Sequence, residues 1–131
     1  MDYLKIAKEI FAGDKFATDV TGIEILEVEK GYAKCKLDVE RRHKNAVDMV
    51  MGGVVFTLGD FAFAVAANAG GLTTVTQTAQ VNFLSSTRQN EIFAEAHCVK
   101  DGKATSYYEV SVKDDLDKLL ARVSINGFKI K

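Results

Sequence analysis

His43-Lys-Asn45-Ala-Val-Asp48-Met-Val-Met51-Gly52-Gly53-Val-Val-Phe-Thr-Leu-Gly-Asp60 sets a double glycine at the mouth of an almost wholly apolar run. The run predicts a helix over residues 52–69. Its apolar residues, Val54, Val55, Phe56, Leu58, Phe61, Phe63 and Val65 with alanines between, go nearly all the way round. A helix of that kind must be enclosed on every side. One carboxylate, Asp60, sits inside it, and burying a carboxylate is costly unless it is paired, hydrogen-bonded or protonated. The glycines at the helix start leave backbone N–H groups free for a negatively charged or polarised oxygen. A site for oxygen and a carboxylate are the minimum parts of an acyl-transfer or hydrolysis site.

On the N-terminal side, residues 2–12 read as an amphipathic helix, with Tyr3, Ile6, Ile10 and Phe11 at helical spacing and Gly13 as its stop. Residues 20–29 predict a strand. Residues 31–40 alternate Ala33, Cys35, Leu37 and Val39 against Lys34, Lys36, Asp38 and Glu40, which marks a half-buried strand. Gly31 turns one strand into the next, and residues 41–51 form a loop. On the C-terminal side, Gly70-Gly71 precedes four strands, over 73–84, 91–100, 103–113 and 119–130. One face of the last three carries Ala94, Ala96 and Cys98, then Ser106, Tyr108, Val110 and Val112, then Ala121, Val123 and Ile125. Asp101-Gly102 predicts a hairpin, and Asp114 to Lys118 the next turn. An antiparallel sheet has one face to cover, and the long apolar helix is its natural cover. The reading is an α+β domain with a sheet curled around a helix. No repeat, linker or low-complexity tract divides residues 1–131, so they form a single domain.

The 131 residues are 47% hydrophobic and 27% charged, a globular composition able to bury a sizeable core. A net charge of −1 and the lack of any binding motif argue against nucleic-acid partners. The central helix has the length of a membrane span, but Asp60 at its middle and the half-polar strands around it argue against one. Cys35 and Cys98 lie in predicted strands without metal-ligand spacing or a disulfide framework. They read as buried thiols in a reducing cytoplasm. Asp2, Lys5, Lys8 and Glu9 leave no apolar core for a signal peptide.

Residues 43–60 resemble the hotdog-fold acyl-CoA thioesterases of the phenylacetate-pathway (PaaI-like) type. Their pattern runs His-x-Asn, a Gly, then His-Gly-Gly, four residues, and Leu-x-Asp. His43, Asn45, Gly52, Gly53, Leu58 and Asp60 fit it in order, and Asn82-Phe83-Leu84 is similar to the family's strand after the central helix. Two positions depart: Met51 replaces the His before Gly-Gly, and Asp48 replaces the earlier Gly. Met offers no hydrogen-bond donor. The resemblance implies a hotdog fold, an acyl-CoA substrate with coenzyme A as its only cofactor-like part, no metal, and oligomers.

In that setting the Gly52 N–H is placed to stabilise the oxyanion of an attacked thioester carbonyl. The alternative is that Gly52-Gly53 only permits tight loop-to-helix packing. Asp60 would be general base or nucleophile, or else a buried structural Asp. Asn45 would bond the carbonyl or hold the loop. The family's water-orienting hydroxyl on the following strand matches Thr78. His43 shapes the loop more than it does chemistry. Met51, Gly53, Phe61 and Asn82 complete the substrate surface, although most apolar side chains of the helix must be core. Arg88, Lys100 and Lys103 lie where the coenzyme A tail could run, or are simply solvated.

Gly52 and Asp60 are eight residues apart, roughly 12 Å along one helix, too far for both to reach one carbonyl. The two groups that meet it should come from different subunits. This predicts a homodimer, and analogy extends it to a dimer of dimers. The alternative to a thioesterase is a non-catalytic acyl-CoA-binding module, which Met51 favours modestly. A hydratase would need a catalytic His, and His43 and His97 are poorly placed for that role.

Overall fold

Alternation in the strands becomes the inner face of one curved sheet. The computed structural model describes residues 1–130. It contains β1 (Glu24–Glu29), β2 (Tyr32–Asp38), β3 (Thr74–Phe83), β4 (Glu91–Asp101), β5 (Thr105–Asp114) and β6 (Leu119–Lys129), with helices α1 (Tyr3–Phe11) and α2 (Gly52–Ala67). All strand pairs are antiparallel, in the lateral order β1-β2-β4-β5-β6-β3. β3, the strand that follows α2, therefore forms one edge of the sheet. The concave face presents Ala33, Cys35 and Leu37, Ile92, Ala94 and Ala96, Val110 and Val112, and Ala121, Val123 and Ile125, all fully buried. α2 lies in this concavity, which is the hotdog arrangement.

Gly59 sets how closely α2 approaches. A Cβ there would stand 3.2 Å from Val123 Cγ2, with Val112 and Val110 just behind. Four residues on, Phe63 is fully buried and meets the Tyr108 ring edge-on, with centroids 5.1 Å apart. Truncating a buried Phe loses its transfer energy and leaves a cavity. Phe63→Ala should cost about 3–5 kcal/mol, read as a lower urea midpoint at unchanged m-value.

Several boundaries differ from the sequence expectation. Residues 20–23 are not strand. Phe16–Thr21 forms a π-helical turn closed by Gly22 at φ 91°, and the Gly22 and Ile23 N–H groups both donate to the Ala17 carbonyl. Ala17 and Thr21 face inward while Phe16 and Val20 face out, a spacing of four that suits a helical turn and not a strand. α2 stops at Ala67 rather than residue 69. The buried Asn68 then donates to the Ala64 and Thr74 carbonyls and accepts from the Thr73 and Thr74 N–H groups, tying the helix end to β3. Cys98 is half-buried, whereas Cys35 is fully buried, and both thiols are free.

The β5–β6 turn is closed by Asp114. This buried carboxylate accepts from the Leu116 and Lys118 N–H groups at 3.0 Å and from the Thr87 hydroxyl at 2.8 Å. Burial alone would raise its pKa; these donors outweigh burial and lower it. A carboxyl with a lowered folded pKa adds stability above the ordinary Asp range and loses it as pH falls. Asp114→Ala should cost about 2 kcal/mol at neutral pH. The two thermal unfolding curves should draw together as pH falls below the ordinary Asp range.

Two surfaces are left open. Nearly all of β3 is exposed, and its outer edge pairs with no strand among the described residues. Along α2, Gly53, Phe56, Thr57, Asp60, Ala64 and Ala67 form a stripe outside the buried set. A helix apolar all round thus keeps one uncovered face beside an uncovered strand.

Candidate active site

The first turn of α2 begins without a side-chain cap. Met51 occupies the N-cap position in extended conformation. Val54 and Val55 donate to its carbonyl, while the Gly52 and Gly53 N–H groups find no acceptor among the described residues. Such orphan donors at the positive end of a helix suit a developing negative charge. The Phe83 ring covers Gly52 closely, so that a Cβ there would lie 3.3 Å from two ring carbons. A cleft of about 380 Å³ joins Asn45, Gly52, Val55, Phe83, Ser85 and Ser86.

The loop before the helix is tied by Asn45, whose Oδ1 accepts from the Val47 and Met49 N–H groups at 3.0 and 3.1 Å. Its amide NH₂ forms no hydrogen bond among the described residues and remains for a ligand. Asp48, where the family pattern has Gly, takes φ 63°, a conformation that favours glycine. Lys44 holds it at 3.6 Å.

Asp60 lies eight residues along α2, half-buried on the open stripe. Its Oδ1 accepts a 2.8 Å hydrogen bond from the Thr76 hydroxyl. Burial raises its pKa, the Thr76 bond opposes this, and the charge of Asp14 adds to the rise; the net shift is upward.

Thr78 is not the hydroxyl that meets Asp60. β3 carries a bulge: Thr76 pairs with Gly127 and Thr78 with Asn126, leaving Gln77 as the extra residue. Directly paired residues share a face. Thr76, Ala79, Val81 and Phe83 therefore lie on the concave side with Gly127, Ile125, Val123 and Ala121. Thr78 lies on the convex side, where its hydroxyl donates to Asn126 Oδ1 at 3.3 Å. Asn82, opposite Arg122, is turned to the convex side as well, away from α2.

Other expectations also shift. His43 is buried, with Nδ1 accepting from the Glu40 N–H at 2.9 Å and Nε2–H donating to the Thr21 carbonyl at 2.7 Å. The backbone donor and the carbonyl acceptor fix this tautomer, so the ring fastens the loop and has no nitrogen left for substrate. Phe61 is core: it is 3% exposed and packs edge-on against Phe11. Met51 is 47% exposed beside the free N–H groups, and Gly53 is exposed next to it. Arg88 is exposed and shares a groove with Lys118 and Ser86; Ser86 also lines the cleft at Gly52. Lys118 Nζ donates to the Ser86 carbonyl. Lys100 and Lys103 are exposed at the other end of the sheet, around the β4–β5 connection and the C-terminus of α2. One end of the molecule thus gathers Asn45, Gly52, Met51 and Arg88, the middle of α2 holds Asp60 with Thr76, and Lys100 and Lys103 stand apart.

Sequence reasoning missed Thr76, Phe83 and Lys118. Thr76 and Thr78 are indistinguishable without the bulge, and Lys118 sits in a turn brought near by the fold. Among the described residues no three His, Cys, Asp or Glu side chains converge, and no helix is long and apolar enough to cross a membrane.

The sequence profile described as thioesterase superfamily matches residues 48–121. A putative esterase of Archaeoglobus fulgidus is 31% identical over 118 residues, spanning 89% of this chain and 76% of the relative. The acyl-coenzyme A thioesterase PaaI of Escherichia coli K12 is 30% identical over 101 residues, spanning 76% of this chain and 72% of the relative. The solved structure of E. coli PaaI, from the phenylacetic acid degradation operon, superposes with a TM-score of 0.91 at 24% identity. That match covers 98% of this chain and 94% of the other.

Proposed function

This chain belongs to the thioesterase superfamily, and on that premise we propose that it hydrolyses an acyl-CoA thioester to a carboxylic acid and free coenzyme A. The observation that carries the proposal is the pairing on α2 of an uncapped Gly52 N–H with a half-buried carboxylate, Asp60, that is bonded only to Thr76 among the described residues. Both groups open onto uncovered surface. Roughly 12 Å of helix separates them, so one carbonyl is served by Asp60 of one chain and Gly52 of the partner subunit.

The open stripe of α2 and the free edge of β3 supply the surface for that homodimer, and a dimer of dimers is the extension by analogy. The chain acts as a single domain, in the cytoplasm, where its two free thiols stay reduced.

As general base, Asp60 takes a proton from water while the water oxygen attacks the thioester carbon. The carbonyl becomes an oxyanion held by the partner's Gly52 N–H and by the free NH₂ of the partner's Asn45. Collapse breaks the C–S bond, and the leaving thiolate recovers the proton from Asp60. As nucleophile, Asp60 would instead form a mixed anhydride that water then opens. Neither route needs a metal. The coenzyme A tail leaves the cleft over Ser86 toward Arg88 and Lys118.

Met51 favours a second reading, a non-catalytic acyl-CoA-binding protein, because it puts no donor where the family pattern has His. Thiol release from a panel of short, long and aromatic acyl-CoAs separates the two. Release by the native protein that is lost in Asp60→Ala supports the enzyme; binding without release supports the module.

A further inference from the structure

Asp60 stands in a groove with two different walls. The lateral strand order places β1 and β3 at opposite edges of the sheet, and α2 runs between them in the concavity. Thr76 of β3 bounds the carboxylate on one side. The other side belongs to the chain that precedes β1. α1 packs against β1. Its last residue, Phe11, meets the ring of Phe61 edge-on, with centroids 5.5 Å apart, and Phe61 is the neighbour of Asp60. The Asp14 N–H donates to the Phe11 carbonyl at 2.9 Å. That turn seats Asp14 beside the stretch of α2 that carries Asp60, on the wall opposite the β3 edge.

Asp14 is exposed. Its backbone carbonyl holds Thr18, whereas its carboxylate forms no ion pair or hydrogen bond among the described residues. Little around Asp60 offsets this charge. α2 has no charged residue besides Asp60, and β3 has none at all. Lys15 and Asp19 pair with each other at 3.5 Å, and α1 carries Lys5, Lys8 and Glu9. The sheet beneath α2 carries Cys35, Cys98 and Tyr108, with Asp114 and the bonded pair Asp101–Lys129 at its ends. Of all these groups, Asp14 is the one whose charge is felt at Asp60. In the proposed dimer the partner brings its Gly52 end, where the partner's Lys44 and the partner's Asp48 pair with each other. An acyl group presented to Asp60 therefore meets two carboxylates and no cation bonded to either.

We infer that Asp14 is a specificity residue that bars acyl groups carrying a negative charge near the thioester carbonyl, so that the substrates are acyl-CoAs with uncharged or cationic acyl groups. The inference rests on the thioesterase reading, which puts that carbonyl against Asp60. Like charges held a few ångströms apart at a protein surface repel more strongly than in bulk water, and drawing an acyl anion out of water without a cation to receive it adds to the cost. An uncharged acyl group meets neither penalty.

The test compares malonyl-CoA with acetoacetyl-CoA, which sets a methyl ketone where malonyl has its carboxylate, on native protein, Asp14→Asn and Asp14→Lys. The native protein should give acetoacetyl-CoA the higher kcat/KM. Asp14→Asn should shrink that preference about fivefold and Asp14→Lys about fivefold more, the scale of one unit charge acting over several ångströms at an exposed site. Both changes should fade at about 1 M salt, where charges are screened within about 3 Å. The pH profile of the best-cleaved acyl-CoA gives a second readout. With the Asp14 charge gone Asp60 ionises more easily, so the acid limb of kcat/KM should move to lower pH in Asp14→Asn. Glu9→Gln, which removes an exposed carboxylate of α1, should move neither readout. Either readout left in place in Asp14→Asn, or moved as far by Glu9→Gln, would overturn the inference. Should the native protein cleave neither of the pair, their calorimetric affinities for native and Asp14→Asn protein decide the inference by the same ratio. Failure to cleave any acyl-CoA would sink the thioesterase reading separately.

Discussion

Asp60→Asn lowers acyl-CoA hydrolysis by about 10²–10⁴-fold, the range that general-base catalysis contributes, and does so without loss of fold. The stability change has a definite sign. The folded pKa of Asp60 lies above its ordinary value, so ionisation is disfavoured in the fold and stability declines as pH rises through the window between the two. Asparagine removes that penalty. The variant should melt higher than native at neutral pH, and the difference should vanish below about pH 3. Thr76→Val acts on the same carboxylate from the other side. It deletes the hydrogen bond that opposes the upward shift, so the acid limb of the kcat/KM profile should move to higher pH. A profile that stays in place would separate Thr76 from Asp60 chemistry.

Gly52→Pro and Asp60→Asn, each nearly inactive alone, should regain activity when the two chains are refolded together. Proline suits this test because the first position of a helix tolerates it well, and Met51, at ψ 140°, already has the extended conformation that precedes proline. The ring removes the Gly52 N–H and little else, apart from pressing on the 55% exposed Phe83. Loss of an oxyanion donor costs about 10²–10³ in kcat. In a mixed dimer one site pairs an intact Asp60 with an intact Gly52 and the other pairs both substitutions. Random assortment gives roughly a quarter of the native number of sites. Continued inactivity after mixing, with dimers formed, would place both groups of each site in one chain.

How much of this was readable depends on the kind of signal. β2, β4, β5 and β6 alternate over most of their length, and the residues expected to face inward are buried, apart from the half-buried Cys98 and Val39. α2 was visible from apolar residues on all sides. Val20 to Ile23 look like the start of a strand, yet the inward spacing of Ala17 and Thr21 winds them into a turn, a preference set by packing. In the candidate site, Asn45, Gly52 and Asp60 follow from spacing along the chain. Thr76 does not, because a bulge without a glycine or turn residue to mark it decides which threonine faces α2. The role of His43 depends on Thr21, 22 residues away in sequence, a contact that only the tertiary fold creates.

In the proposed dimer the eight-residue interval between Gly52 and Asp60 also governs how defects are inherited. A mixed dimer of native chain with a chain altered at either position alone keeps one intact site. A chain altered at both spoils the two sites at once, since each site borrows half its machinery from the damaged partner. On the proposed cross-subunit site the double variant should therefore act as a dominant inhibitor of the native protein in the same cell, and each single variant should be recessive to it.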